Sequence, residues 1–230
     1  MKKDSNLPQH IAIIMDGNRR WARRRGLEII KGHRKVSEEL IEELADYCID
    51  KKISYLTLWA FSTQNWSRDP QEVRLVMDLF RQMLDKNIEQ LHHKGIRVTT
   101  IGDLSRFDQD IRDSIQQGVK KTAHNKNLTL IFALNYGGRD DLVRGVNSLI
   151  SAGQKKVTQK MIDQAVDTAG IPDPDLVVRP GGEKRLSGFL LWQIEYAELY
   201  FSDVLMPDFN SEELATAIQE YQDRRRRFGK

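Results

Sequence analysis

The sequence predicts an α/β fold in which helices flank a single sheet of six mainly parallel strands. Six short apolar runs alternate with longer segments whose apolar residues recur at helical spacing, and this order is typical of βα units. The runs are mostly apolar, which favours strands buried on both faces, as parallel strands are. No repeat, low-complexity tract or long linker divides the chain, so we expect one domain over residues 1–230.

These patterns predict the positions of the individual strands and helices. The predicted strands span 11–15, 55–61, 96–102, 128–134, 175–179 and 199–205. Core-facing helical stripes are predicted at Val36, Leu40, Leu44 and Tyr47; at Val73, Met77, Phe80, Leu84, Ile88 and Leu91; at Ile111, Ile115 and Val119; and at Leu142, Val146, Leu149 and Ile150. Asp69 can cap the second of these helices, with Pro70 in its first turn and Glu72 three residues after the cap. Gly95 marks the end of that helix, and Ser211 is expected to cap the terminal one.

The composition favours a soluble protein of a reducing compartment. The single cysteine, Cys48, excludes an internal disulfide and supplies no thiol cluster for zinc, so we expect a cytoplasmic location. No apolar run reaches the ~18 residues that cross a membrane, and the amino-terminal segment lacks the apolar core of a signal peptide. Because the net charge is only +3, the basic charge that matters is local, at 19–25, 31–35 and 224–227.

Polar residues follow three of the predicted strands at their carboxyl ends, where open α/β sheets bind ligands. These residues are Asp16, Gly17, Asn18, Arg19, Arg20 and Trp21 after the first strand; Ser62, Thr63, Gln64, Asn65, Trp66 and Arg68 after the second; and Arg179, Gly181, Gly182, Glu183, Arg185 and Ser187 after the fifth. Each group combines arginine with glycine or a small hydroxyl residue. Since arginine and backbone N–H groups bind phosphate oxygens, we expect a phosphate site at this edge.

A lone carboxylate among these cations requires an explanation, since it would repel phosphate. Asp16 could hold Mg²⁺, which in turn would bind a diphosphate. Alternatively, Asp16 caps the next helix or pairs with Arg19 or Arg20. The glycine-rich loops of nucleotide hydrolases and dinucleotide-binding proteins are absent, and so is an Asp-Asp-x-x-Asp cluster, because the nearest segment, 140–144, ends in arginine. Diphosphate chemistry here would therefore use scattered carboxylates.

Eight segments resemble those of a known family and occur along the chain in the same order as in that family. They are HIAIIMDGNRRWA, GH, LWAFSTQNWSR, IGDLSRF, NYGGRDDLV, DPDLVVR, GGEKRLSGFLLWQIEYAELYFSDVLMPDF and RRRRFG. Together they resemble the cis-prenyltransferases nearly from end to end. The resemblance implies a homodimer with a six-stranded parallel sheet and an apolar tunnel. It also implies Mg²⁺-dependent condensation of isopentenyl diphosphate with an allylic diphosphate, such as farnesyl diphosphate, to a Z-polyprenyl diphosphate, the precursor of an undecaprenyl-type lipid carrier.

The resemblance also implies roles for individual residues. Asp16 would be the catalytic carboxylate that binds the metal, and Glu198 a second metal ligand reaching across the dimer. The allylic diphosphate would be surrounded by Gly17, Asn18, Arg19, Arg20, Trp21 and His33. The second substrate loop would comprise Ser62, Thr63, Gln64, Asn65, Trp66 and Arg68, and the isopentenyl diphosphate site Arg179, Arg185, Leu186 and Ser187. Residues 227–229 would touch a neighbour's site.

Asn65 occupies a catalytic position that is sometimes assigned a proton-accepting role in this family. A neutral amide takes up protons poorly in water. We therefore expect Asn65 to orient the isoprenoid, while the released diphosphate removes the proton.

Several positions depart from the family's pattern. Ile29 stands where many members have arginine, and Pro180 where threonine is usual, so expected diphosphate contacts are missing. Ala60 is small, which favours medium or long products over a C15 stop. Because such a product is a lipid, we expect transient, peripheral contact with the inner face of a membrane.

Two alternatives stay open at this point. A non-catalytic partner subunit could share the fold, although it would be expected to lose the metal carboxylates. A nucleic-acid binder could use the basic clusters, but no base-reading module is recognisable in the sequence.

Overall fold

The six predicted strands pair in one sheet in which every pairing is parallel. The structure is a computed structural model that describes residues 7–224, apart from the side chains of 84–86. The strands are β1 (His10–Ile14), β2 (Tyr55–Ser62), β3 (Ile96–Ile101), β4 (Leu128–Tyr136), β5 (Leu176–Arg179) and β6 (Glu198–Phe201), in the order β3-β4-β2-β1-β5-β6. The predicted single-domain α/β fold is therefore confirmed. Its extent over all of 1–230 stays a prediction.

Helices flank the sheet. They are α1 (Asn18–Arg24), α2 (Ile29–Lys35), α3 (Ile41–Asp50), α4 (Pro70–His93), α5 (Gln109–Thr122), α6 (Gly138–Ser151), α7 (Gln159–Ala165) and α8 (Ser211–Asp223). A π-helical turn, Val36–Leu40, joins α2 to α3, and 3₁₀ turns span Thr63–Ser67, Leu104–Arg106 and Met206–Asp208. None of the helices within residues 7–224 combines the length and apolar character needed to cross a membrane.

The central strand β1 is buried on both faces and divides the core in two. Ile11 and Ile13 pack in the larger cluster, with residues of α3, α4, α5 and α8. Ala12 and Ile14 point to the opposite face and pack in a second cluster with Tyr136. This burial on both faces explains why the runs of apolar residues are uninterrupted in the sequence.

The strand order decides where ligands can bind. β1 lies between β2 and β5, with Ile14 beside Trp59 on one side and Ile13 beside Val178 on the other. Because all three strands run the same way, the polar residues that follow them emerge at one edge. The prediction that the three groups share an edge of the sheet is confirmed.

The cap predicted for α4 is confirmed, whereas the cap predicted for α8 is not. Asp69 caps α4, its carboxylate accepting the backbone N–H of Gln71 at 2.8 Å. The prediction for α8 was wrong by one residue: Asn210 is the cap and accepts the N–H of Glu213 at 3.1 Å, while Ser211 is already helical. Both residue types cap well, so sequence alone could not separate them.

Two further elements differ from the sequence prediction. β6 ends at Phe201 instead of reaching 205, because Gly182 donates its N–H to the Ser202 carbonyl at 2.8 Å and Gly181 donates to Val204 at 2.7 Å. The chain after β6 thus pairs with the glycine turn after β5.

On α6, Ile150 was predicted to face the core but is 57% exposed. The predicted core position Leu84, most of the basic run 224–227, and the segment 227–229 lie outside what the structure describes.

His10 is a buried imidazole at the amino end of β1. Its Nδ1 lies 2.6 Å from the carbonyl oxygen of Pro172, and its Nε2 lies 2.8 Å from the hydroxyl of Thr57. Burial lowers the pKa of His10 from 6.5 to about 4, an effect that the Pro172 carbonyl and Asp175 only partly offset. The neutral ring is therefore part of the native core.

We expect the free energy of unfolding to fall as the pH falls from 6.5 to 4. The folded-state pKa of His10 lies below its unfolded value, so the unfolded chain binds more protons in this range. A shift of that size corresponds to about 3 kcal/mol at the low-pH end. Urea titrations across this pH range measure the slope.

The variant His10→Gln provides the comparison for this slope. It removes one of the two buried histidines with a lowered pKa, the other being His33, so it should retain only part of the pH dependence. An unchanged slope in the variant would contradict the assignment to His10.

Candidate active site

A cavity of about 410 Å³ opens at the carboxyl ends of β1 and β2. Its mouth is polar and carries three cations, Arg68, Arg179 and Arg185, beside the side chains of Asp16, Asn18 and His33. Its interior is apolar, with residues from the sheet, α3 and α4 that include Ile41, Phe61, Val76, Leu79, Phe80, Met83 and Phe132. The volume is typical of a small-molecule site. A predicted tunnel would begin here, although only the cavity itself is observed.

Asp16 stands at the mouth of this cavity, held by a backbone turn. Its carboxylate oxygen Oδ1 accepts the N–H of Gly17 at 2.6 Å, and its carbonyl accepts the N–H of Met206 at 2.9 Å. Gly17 has φ 103° and lies against Leu205, so a Cβ would be both strained and within 3.0 Å of that side chain. The turn therefore fixes Asp16, whose side chain remains 30% exposed.

Arg179 is the buried partner of Asp16. Its side chain is only 5% exposed, and its Nη2 donates to Oδ2 of Asp16 at 2.9 Å. Its Nη1 donates to the hydroxyl of Ser187 at 3.0 Å and to the carbonyl of Arg185. Arg20 adds a longer ion pair, 3.4 Å from Asp16 Oδ1. Asp16 thus does pair with Arg20, one of the partners considered in the sequence, but it does not cap α1, whose cap is Gly17.

Asn18 and His33 form a polar wall beside Asp16. The Asn18 side-chain nitrogen donates to the Met15 carbonyl at 3.3 Å and lies 3.5 Å from His33 Nδ1. Asn18 Oδ1 and His33 Nε2 are both buried and have no hydrogen-bond partner among the residues described. A buried polar atom without a partner costs about 1–3 kcal/mol, so both atoms need a hydrogen-bond partner that a ligand or water in the cavity would supply.

His33 is neutral in this environment. Burial, together with the positive charges of Arg68 and Arg19, lowers its pKa from 6.5 to about 4. Those two arginines share one carboxylate, because Glu72 lies 3.2 Å from Arg68 Nη1 and 3.5 Å from Arg19 Nη2. Glu72 therefore holds both cations near the mouth and does not complete the capping box expected at the start of α4.

Asn65 is fixed by a reciprocal capping arrangement. Its side-chain oxygen accepts the N–H of Ser62 at 3.0 Å, while the Ser62 side chain accepts the backbone N–H of Asn65. A backbone N–H needs an acceptor, so the amide oxygen must point to Ser62. The NH₂ group of Asn65 is a donor and the oxygen of a neutral amide is a very weak base, so Asn65 is poorly suited to accept a proton.

Four of the predicted site residues do not line the cavity because other partners hold them. Trp21 donates its indole N–H to Asp208 at 2.8 Å, beneath the guanidinium of Arg25 at 4.4 Å. Asp208 was not anticipated, although it lies in the MPDF part of the seventh resembling segment. The other three are Thr63, which lies against Gly137, Trp66, which joins an aromatic cluster, and Leu186, which packs in the second core. Gly17, Arg19 and Arg20 border the mouth without lining the cavity, whereas Ser62, Gln64, Asn65, Arg68, Arg185 and Ser187 line it.

Glu198 lies at the amino ends of the strands, whereas Asp16 lies at their carboxyl ends. It pairs in register with Leu176, which pairs with Ile11 at the amino end of β1. Its carboxylate accepts a hydrogen bond from Arg224 at 2.8 Å. One chain therefore does not bring Glu198 and Asp16 together, and the predicted shared metal site requires a second copy.

Asp16 fits one mode of magnesium binding. Residues 7–224 contain no group of three or more His, Cys, Asp or Glu side chains that could hold a metal ion. Magnesium, however, is commonly held by one or two carboxylates together with substrate phosphates and water. A partly exposed carboxylate at a cationic mouth suits that mode, in which the substrate completes the metal site.

Comparisons with known proteins agree with this geometry. The family described as "Putative undecaprenyl diphosphate synthase", within the prenyltransferases, matches residues 14–229. The chain is a member of the cis-prenyltransferase family. It is 46% identical to an isoprenyl transferase of Clostridium perfringens, over 98% of this chain and 91% of that protein. An isoprenyl transferase of Aquifex aeolicus is 42% identical, over 97% and 96%.

Two solved structures show how closely the fold follows the cis-prenyltransferase family. Lavandulyl diphosphate synthase from Lavandula x intermedia, in complex with dimethylallyl diphosphate, superposes with a TM-score of 0.93 at 33% identity, covering 99% of this chain and 100% of that one. A probable undecaprenyl diphosphate synthase from Campylobacter jejuni superposes with a TM-score of 0.83 at 35% identity, covering 98% and 100%. The family expected from the sequence is confirmed.

We expect Arg68→Gln to weaken the binding of inorganic pyrophosphate about tenfold. Arg68 lines the cavity, and a charge-assisted hydrogen bond to a phosphate oxygen has about that effect when it is lost. Isothermal titration calorimetry measures the dissociation constant. Arg81→Gln is the matched control, because Arg81 forms ion pairs with Asp108 and Asp110 outside the cavity. Equal weakening in both variants would contradict the assignment of the site.

Proposed function

We propose that the protein condenses isopentenyl diphosphate with an allylic diphosphate, such as farnesyl diphosphate, to a Z-polyprenyl diphosphate of the undecaprenyl type. The observation that carries the proposal is a single cavity with a cationic mouth and an apolar interior. That combination matches a substrate with a diphosphate head and a hydrocarbon chain. Membership of the family favours this reading over a non-catalytic partner subunit or a nucleic-acid binder.

The catalytic role of Asp16 is to hold Mg²⁺ together with the allylic diphosphate. When bound, Mg²⁺ supplies charge neutralisation for the departing diphosphate. Asp16 suits this role because its turn and its pairing with Arg179 fix the carboxylate while leaving it accessible. Ionisation leaves a diphosphate with about three negative charges, and a cation within ~4 Å contributes about 4 kcal/mol at an effective dielectric near 20. The arginines at the mouth would provide that charge together with the metal.

The remaining residues bind and orient the two substrates. The neutral ring of His33 and the side chain of Asn18 would contact the allylic diphosphate, because their unpartnered atoms lie in the cavity wall. Arg185 and Ser187 would contact isopentenyl diphosphate on the other side of the mouth. Asn65 would orient the isoprenoid through its NH₂ group. The proton would pass to the released diphosphate, since the neutral amide of Asn65 takes up protons poorly.

A homodimer is part of this proposal. Val143 and Ile150 on α6 are apolar and yet 59% and 57% exposed. Leu191 and Tyr196, in the segment before β6, are also exposed, at 37% and 75%. β6 is an edge strand, and exposed edges and apolar patches favour association. A second copy at this side is also what the predicted role of Glu198 as a metal ligand requires.

Cytoplasmic location and transient membrane contact complete the proposal. A polyprenyl diphosphate is a lipid, so its release favours contact with a bilayer. Arg23, Arg24 and Lys31 are exposed on α1 and α2. Their charge would attract the anionic headgroups of a membrane.

We expect Asp16→Asn to lower the rate of elongation by at least about a hundredfold, because the amide binds Mg²⁺ and the diphosphate less well. The assay follows radiolabelled isopentenyl diphosphate into extractable product with farnesyl diphosphate and Mg²⁺, and chelation of Mg²⁺ should also stop the parent. Asp46→Asn is the control, since Asp46 pairs with Lys94 away from the cavity. Elongation at the parent's rate by the Asp16 variant would contradict the proposal.

We expect Met83→Ala to lengthen the product. Met83 and Phe132 line the main cavity and also two neighbouring cavities of about 20 Å³ each, so Met83 separates these spaces. A shorter side chain would join them and let a longer chain extend. Reverse-phase chromatography of the dephosphorylated product measures its length. Leu75→Ala, on the exposed side of α4, is the control, and equal products from the parent and the Met83 variant would contradict this role.

A further inference from the structure

Two of the resembling segments have no role in the site described so far. They are IGDLSRF at 101–107 and NYGGRDDLV at 135–143, which begin at the last residues of β3 and β4. Both contact Trp66, which lies in the 3₁₀ turn Thr63–Ser67. The same turn carries Gln64 and Asn65, which line the cavity, and Arg68 follows it directly.

Asn135 is the hydrogen-bond link between these segments. Its side-chain oxygen accepts the indole N–H of Trp66 at 2.8 Å, and its side-chain nitrogen donates to the carbonyl of Asp103 at 2.7 Å. Asn135 is only 3% exposed, so both bonds are shielded from water. An indole can only donate and a carbonyl can only accept, which fixes the orientation of the amide.

The ring of Trp66 is held on several sides. Phe61 and Phe107 pack edge-on against it, with centroids 5.0 Å and 5.5 Å away. The guanidinium of Arg106 stands 4.5 Å from the ring centroid. Edge-on aromatic pairs and cation–π contacts each add to the burial of the ring. Trp66 is therefore anchored in a socket formed by 101–107 and 135–137.

The backbone around Asn135 is shaped for this contact. Asn135 has φ 48°, a left-handed conformation that asparagine tolerates better than most residues. At Gly137, a Cβ would lie 2.9 Å from the hydroxyl of Thr63, so glycine lets the 3₁₀ turn approach β4. The acidic part of NYGGRDD reinforces the socket: Asp141 accepts the N–H of Asp167 at 2.9 Å, and Asp167 accepts the N–H of Gly102 at 2.8 Å.

We propose that Asn135 is a positioning residue that acts through Trp66. By holding the indole, it sets the place of Gln64, Asn65 and Arg68 at the mouth of the cavity. Trp66 is then the anchor of the substrate loop. The effect on substrate binding rests on the proposed function, whereas the effect on the order of the loop does not.

The test compares Asn135→Ala, Asn135→Gly, Trp66→Phe and the Asn135→Ala/Trp66→Phe double variant with the parent. Each single variant removes the hydrogen bond to the indole, so each should raise KM for the allylic diphosphate about tenfold and change kcat by less than about threefold. The double variant should be no more than about threefold worse than either single variant, because both act on one link. Asn135→Gly relieves the left-handed strain and should still behave like Asn135→Ala. A parental KM in the glycine variant would overturn the proposal.

Hydrogen–deuterium exchange provides a readout that does not depend on activity. Amides of residues 62–68 should exchange faster in the Asn135 and Trp66 variants, with the rest of the sheet unchanged. Asn125→Ala is the matched control: the Asn125 amide donates to the Ile96 carbonyl at 2.8 Å at the other edge, so this variant should leave KM and exchange at 62–68 unchanged. Parental exchange at 62–68 in Asn135→Ala would overturn the proposal. Absence of prenyl transfer in the parent would instead count against the proposed function alone.

Discussion

The ion pair between Asp16 and the buried Arg179 is the interaction on which the site depends. It joins the ends of β1 and β5, and the same guanidinium reaches Ser187 and the Arg185 carbonyl. A buried cation needs such partners, since an uncompensated buried charge is strongly destabilising. The carboxylate meets this need and still presents a partly exposed surface to the cavity. Fold stability and the proposed metal binding would thus place opposite demands on one side chain, and the turn at Gly17 would let it meet both.

Most of the fold could be predicted from the sequence because the apolar runs of the strands and the polar residues that follow them are easy to recognise. The mostly apolar runs predicted all six strands, since parallel strands that are covered on both faces are rich in apolar residues. The convergence of Asp16, Ser62 and Arg179 also followed, because parallel strands bring their carboxyl ends to one edge. The family resemblance then named individual residues, and Asp16, Asn18, His33, Asn65, Arg68, Arg179, Arg185 and Ser187 all line the cavity.

The remaining positions could not be predicted because partners distant in sequence decide where a side chain points. Trp21 turns to Asp208 and Trp66 to Asn135, and neither pairing has a local signal. Glu72 had the spacing of a capping box, yet two arginines at the cavity mouth attract its carboxylate more strongly than a backbone N–H does. Ser211 and Asn210 both suit a cap, so the choice depended on which oxygen reached Glu213.

The all-parallel sheet also separates the two ends of the described chain from the cavity. β1 starts at His10, where Gln9 donates its N–H to Asp175 at 2.7 Å, and Arg224 bonds to Glu198 at the start of β6. Glu198 in turn donates its N–H to the carbonyl of Asp175 at 2.9 Å, so both ends gather around one short segment. The two ends of the described chain therefore lie at the rim of the sheet that faces away from the cavity. A protein coupled to a surface at that rim would present its cavity to solution.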